Sequence, residues 1–314
     1  MEEALVLKST GKWYTLELSK GEVVQARIRG KLRLEGLSTT NPIAAGDKVY
    51  LLPDIDADGI RLIENIVPRR NYIVRKSTNL SKQMQILAAN VDHAYLVATL
   101  KSPVTQLAFI DRFLVSAESF RIPTTILFNK TDLYSEEDKG FLAVLKNIYS
   151  TLGYGIAAIS TLDKSSINFL LEEINGKNVM ISGNSGVGKS SLVNALDSNL
   201  DIRTGAISQA HEQGKHTTTF AEMHRLASGG YIIDTPGIRA FGMINLEKEH
   251  IAHYFPEMRT LLGQCRFHNC LHLNEPHCAV KEALSDDSIA PSRYHSYVQL
   301  MEEDADTPYR YASN

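Results

Sequence analysis

Cysteine is scarce in this 314-residue chain and confined to one window: Cys265, Cys270 and Cys278 are all there is. An odd, clustered set argues against a disulfide framework and points to a metal. Long apolar runs are missing as well. None approaches the ~18 residues of a membrane span, and the start, MEEALVLKST, lacks the cationic and apolar segments of a signal peptide. A cytoplasmic protein with no membrane partner is expected, and a monomer. Charge of one sign is also lacking. A formal net charge of −3 and a pI near 6.4 exclude a uniformly basic nucleic-acid binder, so any RNA contact must come from local patches. There is no internal repeat and no low-complexity tract. The composition is that of a globular chain long enough for two or three cores.

What is present centres on Asn178 to Leu192, NVMISGNSGVGKSSL. Val179, Met180 and Ile181 read as a buried strand. The run Gly183, Asn184, Ser185, Gly186, Val187, Gly188, Lys189, Ser190 then fits G-x-x-x-x-G-K-[ST], the phosphate-binding P-loop. Glycines let the backbone curl until successive N–H groups face phosphate oxygens. Lys189 supplies a point charge for the β- and γ-phosphates, and the Ser190 hydroxyl can ligate Mg²⁺. Ser191 and the residues to Leu196 continue as a helix whose positive end faces the anion.

Two further motifs select the base. Asn129, Lys130, Thr131 and Asp132 match N-K-x-D at the end of an apolar strand. The Asp132 carboxylate can accept from N1–H and the 2-amino group of guanine, donors that adenine lacks. Asp234 to Gly237, DTPG, match D-x-x-G: Asp234 would hold Mg²⁺ through water and the Gly237 N–H would meet the γ-phosphate. Ser160, after the strand Gly155–Ile159, is placed to support the guanine ring, although Thr161 stands where alanine is usual. The nucleotide is therefore GTP. In a conventional GTPase the P-loop comes first and N-K-x-D last. Here N-K-T-D and the Ser160 loop precede the P-loop, so the domain is read as circularly permuted, with new ends at the strand Val91–Thr99 and just after Gly237.

The cysteine window reads CRFHNCLHLNEPHC. Cys265, Cys270, His272 and Cys278 form a Cys₃His set for one structural Zn²⁺, with His268 and His277 competing for the fourth position. The rest of the chain falls into place around these motifs. Residues 1–70 read as five short strands of an OB-type barrel. There Arg27, Arg29, Lys31 and Arg33 with Trp13 and Tyr14 offer a basic, stacking face; a solvated charged edge would show the same pattern. A polar linker is expected over 71–87, a permuted P-loop GTPase domain of α/β type over 88–242 and a helical zinc-binding domain over 243–314, beginning with one helix, Leu246–Met258.

Taken in order, GDKVYLLP, AANVD, NKTD, GNSGVGKSSL, GKHTTT, DTPG and CRFHNCLH…EPHCAVK span nearly the whole chain. The chain resembles the circularly permuted small-ribosomal-subunit biogenesis GTPases of bacteria. That resemblance implies GTP hydrolysis stimulated by the small ribosomal subunit, binding to its rRNA through barrel and zinc domain, and a role in late maturation. For the chemistry, Thr217, Thr218 and Thr219 compete to be the switch I ligand of Mg²⁺, with Thr218 favoured. Ile238 occupies the place of the water-orienting glutamine of Ras-type enzymes, which predicts slow intrinsic turnover and leaves His216 as the candidate catalytic group, or a solvent or RNA contact. Gly186 stands where potassium-dependent GTPases carry asparagine. Three function classes remain: a ribosome-stimulated GTPase, a GTP-regulated RNA-binding switch, and a partner of a tRNA-modifying enzyme, for which no catalytic segment is visible.

Overall fold

The computed structural model describes residues 2–29, 42–56, 58–76, 84–200, 221–234 and 247–302. His216, Thr217, Thr218, Thr219, Gly237, Ile238, Lys31 and Arg33 lie outside these residues, and of Asp234 only the backbone is described.

The first core is built by period-2 alternation. Strands β1 (Glu2–Ser9), β2 (Tyr14–Leu18), β3 (Val23–Ile28), β4 (Lys48–Ile55) and β5 (Arg61–Ile66) pair in the closed circuit β1-β2-β3-β5-β4-β1, with β3 and β5 parallel. This is a five-stranded barrel of the OB type. Ala4, Val6, Tyr14, Leu16, Leu18, Val49, Leu51 and Ile63 fill it. Tyr14 is a correction to the stacking face expected from sequence. It points inward with Leu16 and Leu18 and is fully buried, leaving Trp13, 46% exposed, alone outside. Arg27 is tied to Asp56 at 2.8 Å.

The described ends of the segment expected as a linker, 71–87, are strands. β6 (Tyr72–Lys76) and β7 (Met84–Ala89) form an antiparallel pair, because Ile73, Val74, Ile86 and Leu87 have apolar surface to bury on either side of the polar stretch. The barrel closes onto this pair at Gly46: a Cβ there would lie 2.0 Å from the Ala89 carbonyl oxygen, and φ is +89°. Asp47 is fully buried beneath it, accepting from Arg69 at 2.6 Å.

The second unit is a sheet ordered β10-β9-β8-β11-β13-β12, comprising β8 (His93–Ala98), β9 (Thr124–Phe128), β10 (Gly155–Ala158), β11 (Asn178–Gly183), β12 (Glu222–Arg225) and β13 (Tyr231–Asp234). All are parallel except β12, which forms a hairpin with β13. Helices α1 (Leu107–Ser119) and α2 (Glu136–Thr151) pack with Leu96, Ile126 and Phe128 on one face; α3 (Lys164–Ile174) and α4 (Lys189–Leu196) pack with Val97, Leu127 and Ile232 on the other. Alternate residues of each central strand thus serve opposite cores, as a doubly covered parallel sheet requires.

β1 has a second use. It pairs with β12 at Lys8 and Glu222, whose side chains also form a 2.6 Å ion pair, so barrel and parallel sheet run together as eleven strands among the described residues. Beside that seam, buried Glu17 accepts from Arg225 at 2.5 Å and from the Tyr231 hydroxyl at 2.9 Å.

The C-terminal part is helical: α5 (Lys248–Ile251), a 3₁₀ turn over Ala252–Tyr254, α6 (Pro256–Arg259), α7 (Ala279–Ser285) and α8 (Pro291–Glu302). The single helix expected to Met258 is broken because Pro256 supplies no N–H to the preceding turn; Phe255 is extended and Pro256 opens a new helix. Val115 of α1 joins Phe255, Met258, Val280, Tyr297 and Leu300 in this core. Beside it Arg293, Asp111, Tyr149 and Glu257 form a buried polar node between α1, α2, α6 and α8.

Candidate nucleotide site and metal centre

In the parallel sheet the chain steps from β8 to β9 to β10 in one direction, then crosses to β11 on the other side of β8. The crevice at the carboxyl ends of β8 and β11 is the switch point where open α/β sheets bind ligands. The loops that the motifs mark converge there. Gly183 ends β11, Asn184 to Gly188 curl, and Lys189 begins α4. Gly188 has φ +96°, and a Cβ on it would lie 2.4 Å from Asn129 Nδ2. Glycine is what admits Asn129, whose Nδ2 donates to the Val187 carbonyl at 2.9 Å. Asn129 is 1% exposed, and its Oδ1 has no hydrogen-bond partner among the described residues.

The N-K-T-D loop is tied to both neighbours. Lys130, in the left-handed region at φ +63°, donates from Nζ to the Gly186 carbonyl at 2.7 Å and to the Ser102 carbonyl. Thr131 donates from Oγ1 to the Ile159 carbonyl at 3.0 Å. Ser160 Oγ donates to Asp132 Oδ1 at 2.6 Å, holding an exposed carboxylate at the mouth of the crevice. Lys189 Nζ donates back to the Asn184 carbonyl. Ser185 and Gly186 are exposed, Val187 is fully buried, Ser190 is half-buried in the first turn of α4, and Ser191 is exposed. Asp234 ends β13, which runs parallel to β11 with Met180 opposite Ile233.

Residues without any motif also build this edge. The β8–α1 loop, Thr99 to Thr105, lies against the P-loop: Pro103 Cδ is 3.3 Å from where a Gly186 Cβ would stand. Lys101 pins the loop to the start of α2 through Asp138 at 2.5 Å; Lys101 first, then Ser135, holds the Asp138 carboxyl down to about 2. Tyr134 reaches under both loops. Neither spacing nor residue type marks these positions in the sequence.

The metal candidates gather as the spacing requires. Ligand atoms of Cys265, Cys270, His272 and Cys278 lie within 4.8 Å of one another. His272 Nδ1 is 3.5 Å from Cys265 Sγ and 3.4 Å from Cys278 Sγ, and the two sulfurs are 3.9 Å apart. A tetrahedral zinc with ordinary Zn–S and Zn–N bonds has edges of about 3.5 Å (S to N) and about 3.8 Å (S to S). The donor set fits, with His272 rather than His268 or His277 completing it. Cys278 is the N-cap of α7, and Tyr294 and Tyr297 donate to the His272 and Leu271 carbonyls at 2.8 and 2.6 Å, fastening the knuckle to α8. Without a cation, burial first raises the Cys270 and Cys278 thiols above their usual range, so metal capture must displace protons.

An OB-type barrel, a parallel sheet with its N-K-T-D loop ahead of its P-loop, and a helical segment with a Cys₃His cluster define a circularly permuted P-loop GTPase. The chain belongs to the RsgA GTPase family: the model described as RsgA GTPase matches residues 66–244 and that of the RsgA N-terminal domain residues 3–60. It is 45% identical over 310 residues to "Small ribosomal subunit biogenesis GTPase RsgA" of Bacteroides fragilis (strain YCH46), covering 99% of each chain. To the protein of that name from Flavobacterium johnsoniae it is 48% identical over 300 residues, covering 95% of this chain and 92% of that one. Among solved structures, YjeQ from Thermotoga maritima superposes with a TM-score of 0.77 at 36% identity, covering 96% of this chain and 97% of that one. YloQ, described as a circularly permuted GTPase, gives 0.74 at 28% identity, with 99% and 97% covered. No helix among the described residues is long and apolar enough to cross a membrane.

Proposed function

We propose that this chain hydrolyses GTP in the late maturation of the small ribosomal subunit, binding the subunit and its rRNA and turning over faster when bound. The observation that carries the nucleotide reading is the convergence of three loops at one sheet edge, joined by Asn129 to Val187, Lys130 to Gly186 and Ser160 to Asp132. The partner is supported by the names of the relatives. In this reading Asp132 takes the guanine edge, Ser160 orients Asp132, and the backbone of 183–188 with Lys189, Ser190 and Ser191 takes the phosphates, with Gly237 on the γ-phosphate.

Magnesium would be held by Ser190, Thr218 and, through water, Asp234. The end of β13 runs beside the strand that feeds Ser190, so Asp234 would reach the ion through one of the waters that Mg²⁺ keeps. When bound, the ion would neutralise charge on the phosphate oxygens. His216 acts on the attacking water in place of the glutamine that Ile238 replaces.

The test of the function is the GTPase rate with and without purified small subunits. A slow basal rate that rises to multiple turnovers is expected; a single slow turnover in both would leave a binding switch. His216→Ala should remove most of the stimulated rate while keeping GTP affinity, since a group acting only in the transition state lowers kcat. Full stimulated turnover in that variant would remove His216 from the mechanism.

Base reading has its own test. Asp132→Asn exchanges an acceptor for a donor, so GTP should bind roughly 10²- to 10⁴-fold more weakly, two charge-assisted hydrogen bonds being lost. Xanthosine triphosphate, with an oxygen at position 2, should bind better. Unchanged competition among GTP, ATP and XTP would place Asp132 outside the site.

A further inference from the structure

We propose that Tyr134 is a positioning residue for the nucleotide: its hydroxyl fixes the Asn129–Lys130 peptide so that Lys130 straps the base-reading loop to the P-loop. The inference rests on the guanine-nucleotide reading above. Tyr134 is 7% exposed. Its hydroxyl donates to the Asn129 carbonyl at 2.9 Å and accepts from the Leu100 N–H at 3.0 Å, so one group holds the first residue of the N-K-T-D loop and the first turn of the β8–α1 loop.

The Asn129 carbonyl belongs to the peptide that leads into Lys130, and Lys130 has φ +63°. A lysine adopts that region only when its surroundings hold it there. Fixing the peptide oxygen fixes the plane from which the Lys130 side chain departs. From that geometry Nζ meets two carbonyls, Gly186 in the P-loop and Ser102 in the β8–α1 loop. The second is set by the same tyrosine, through Leu100 two residues away. A nucleotide with its base at Asp132 and its phosphates on residues 184–190 must lie along this strap. Burial, the largest cause, raises the Tyr134 pKa, so the phenol keeps its proton and remains a donor at neutral pH.

Tyr134→Phe removes the hydroxyl with little change of shape and leaves the Asn129 carbonyl and Leu100 N–H unpaired. With the full chain and a fluorescent GDP analogue, dissociation should be about 10-fold faster, and the KM for GTP should rise by a similar factor with kcat within about two-fold. Tyr154→Phe is the control. Tyr154 sits in the same core, and its buried hydroxyl has no hydrogen-bond partner among the described residues, so GDP dissociation, KM and kcat should all keep their wild-type values.

A tyrosine acting through Lys130 makes a further demand. The double variant Tyr134→Phe, Lys130→Ala should release GDP no faster than Lys130→Ala alone, whereas multiplied effects would overturn the route through Lys130. Wild-type dissociation in Tyr134→Phe would overturn the proposal itself. Run beside Asp132→Asn, the experiment separates two failures. If Asp132→Asn shifts preference to xanthine and Tyr134→Phe changes nothing, only the tyrosine is wrong. If Asp132→Asn leaves base preference unchanged, the guanine site does not lie at Asp132.

Discussion

Chelating the metal that the Cys₃His set would hold, a zinc by its donors, is expected to unfold the C-terminal part and to leave nucleotide binding largely in place. Helices α5 and α6 have four residues each and α7 has seven, all far below the ~12–15 residues at which an isolated helix becomes marginal in water. Between α6 and α7 the chain from Thr260 to Cys278 contains no helix or strand. Its turns are held by the Cys₃His cluster, with Cys265 and Cys270 packed onto the helical core and Cys278 starting α7, and by Leu271 and Leu273 on the same core and Glu275 accepting from the Leu271, Leu273 and Asn274 N–H groups. Structural zinc sites supply about 10–16 kcal/mol at neutral pH, enough to decide whether such a segment folds. Metal analysis should return about one zinc per chain. Chelation, or Cys278→Ser, should open residues 247–302 to protease and loosen the packing of Tyr294 and Tyr297. Because the thiols must lose protons to bind, zinc affinity should fall as the pH is lowered. Protein never exposed to chelator that carries no zinc would end this account.

Arg293→Met is expected to cost about 3–5 kcal/mol, the range for stranding buried charge, out of a total of about 5–15 kcal/mol for a domain. Arg293 is 1% exposed on α8. Its Nη1 donates to Asp111 on α1 at 2.6 Å, and its Nε and Nη2 donate to Glu257 on α6 at 2.7 and 3.3 Å. Tyr149 of α2 donates to the same Asp111 oxygen at 2.7 Å, and the guanidinium lies over the Phe255 ring, 4.6 Å from its centroid. Burial works against the charge, but Asp111 and Glu257 outweigh it and raise the Arg293 pKa. Removing the cation leaves two buried carboxylates without their counter-charge. Adding Asp111→Asn and Glu257→Gln, which remove both charges, should recover part of the loss. Denaturant titration of the single and triple variants measures both. A single variant within about 1 kcal/mol of wild type would show that the node is hydrated or dispensable.

How much of this could be read from the sequence depended on how local the cause was. Phosphate binding demands glycines and a lysine at fixed spacing, so the loop from Gly183 to Ser190 announced itself, and its place at a sheet edge followed from the strand before it. The cysteine window was equally legible, since four donors around one ion must lie close along a short chain; only the choice among three histidines needed coordinates. Tyr134 gave no signal, because its role lies in two backbone groups brought to it by β8 and β9. Asp111 and Arg293 are 182 positions apart, and nothing local in either marks a pairing. Tyr14 departs from expectation for another reason. An aromatic beside a tryptophan suggested a platform, although its alternation with Leu16 and Leu18 already placed it inside. The break at Phe255 lies in Pro256, a one-residue signal set against a longer apolar pattern.

The seam between β1 and β12 bears on solubility. A strand at the end of a sheet presents unpaired N–H and carbonyl groups that invite another chain. In this fold the outer strand of the parallel sheet is β12, and β1 of the barrel covers it, with Lys8 against Glu222 and Glu17 bridging to Arg225 and Tyr231. The barrel is thus a guard for its neighbour as well as a module in its own right. A fragment beginning at residue 88 would keep every nucleotide-site motif, yet it would present a raw strand edge beside a tyrosine and an arginine that have lost their carboxylate. Loss of the barrel by proteolysis would carry the same hazard, leaving the rest of the chain as a template for self-association.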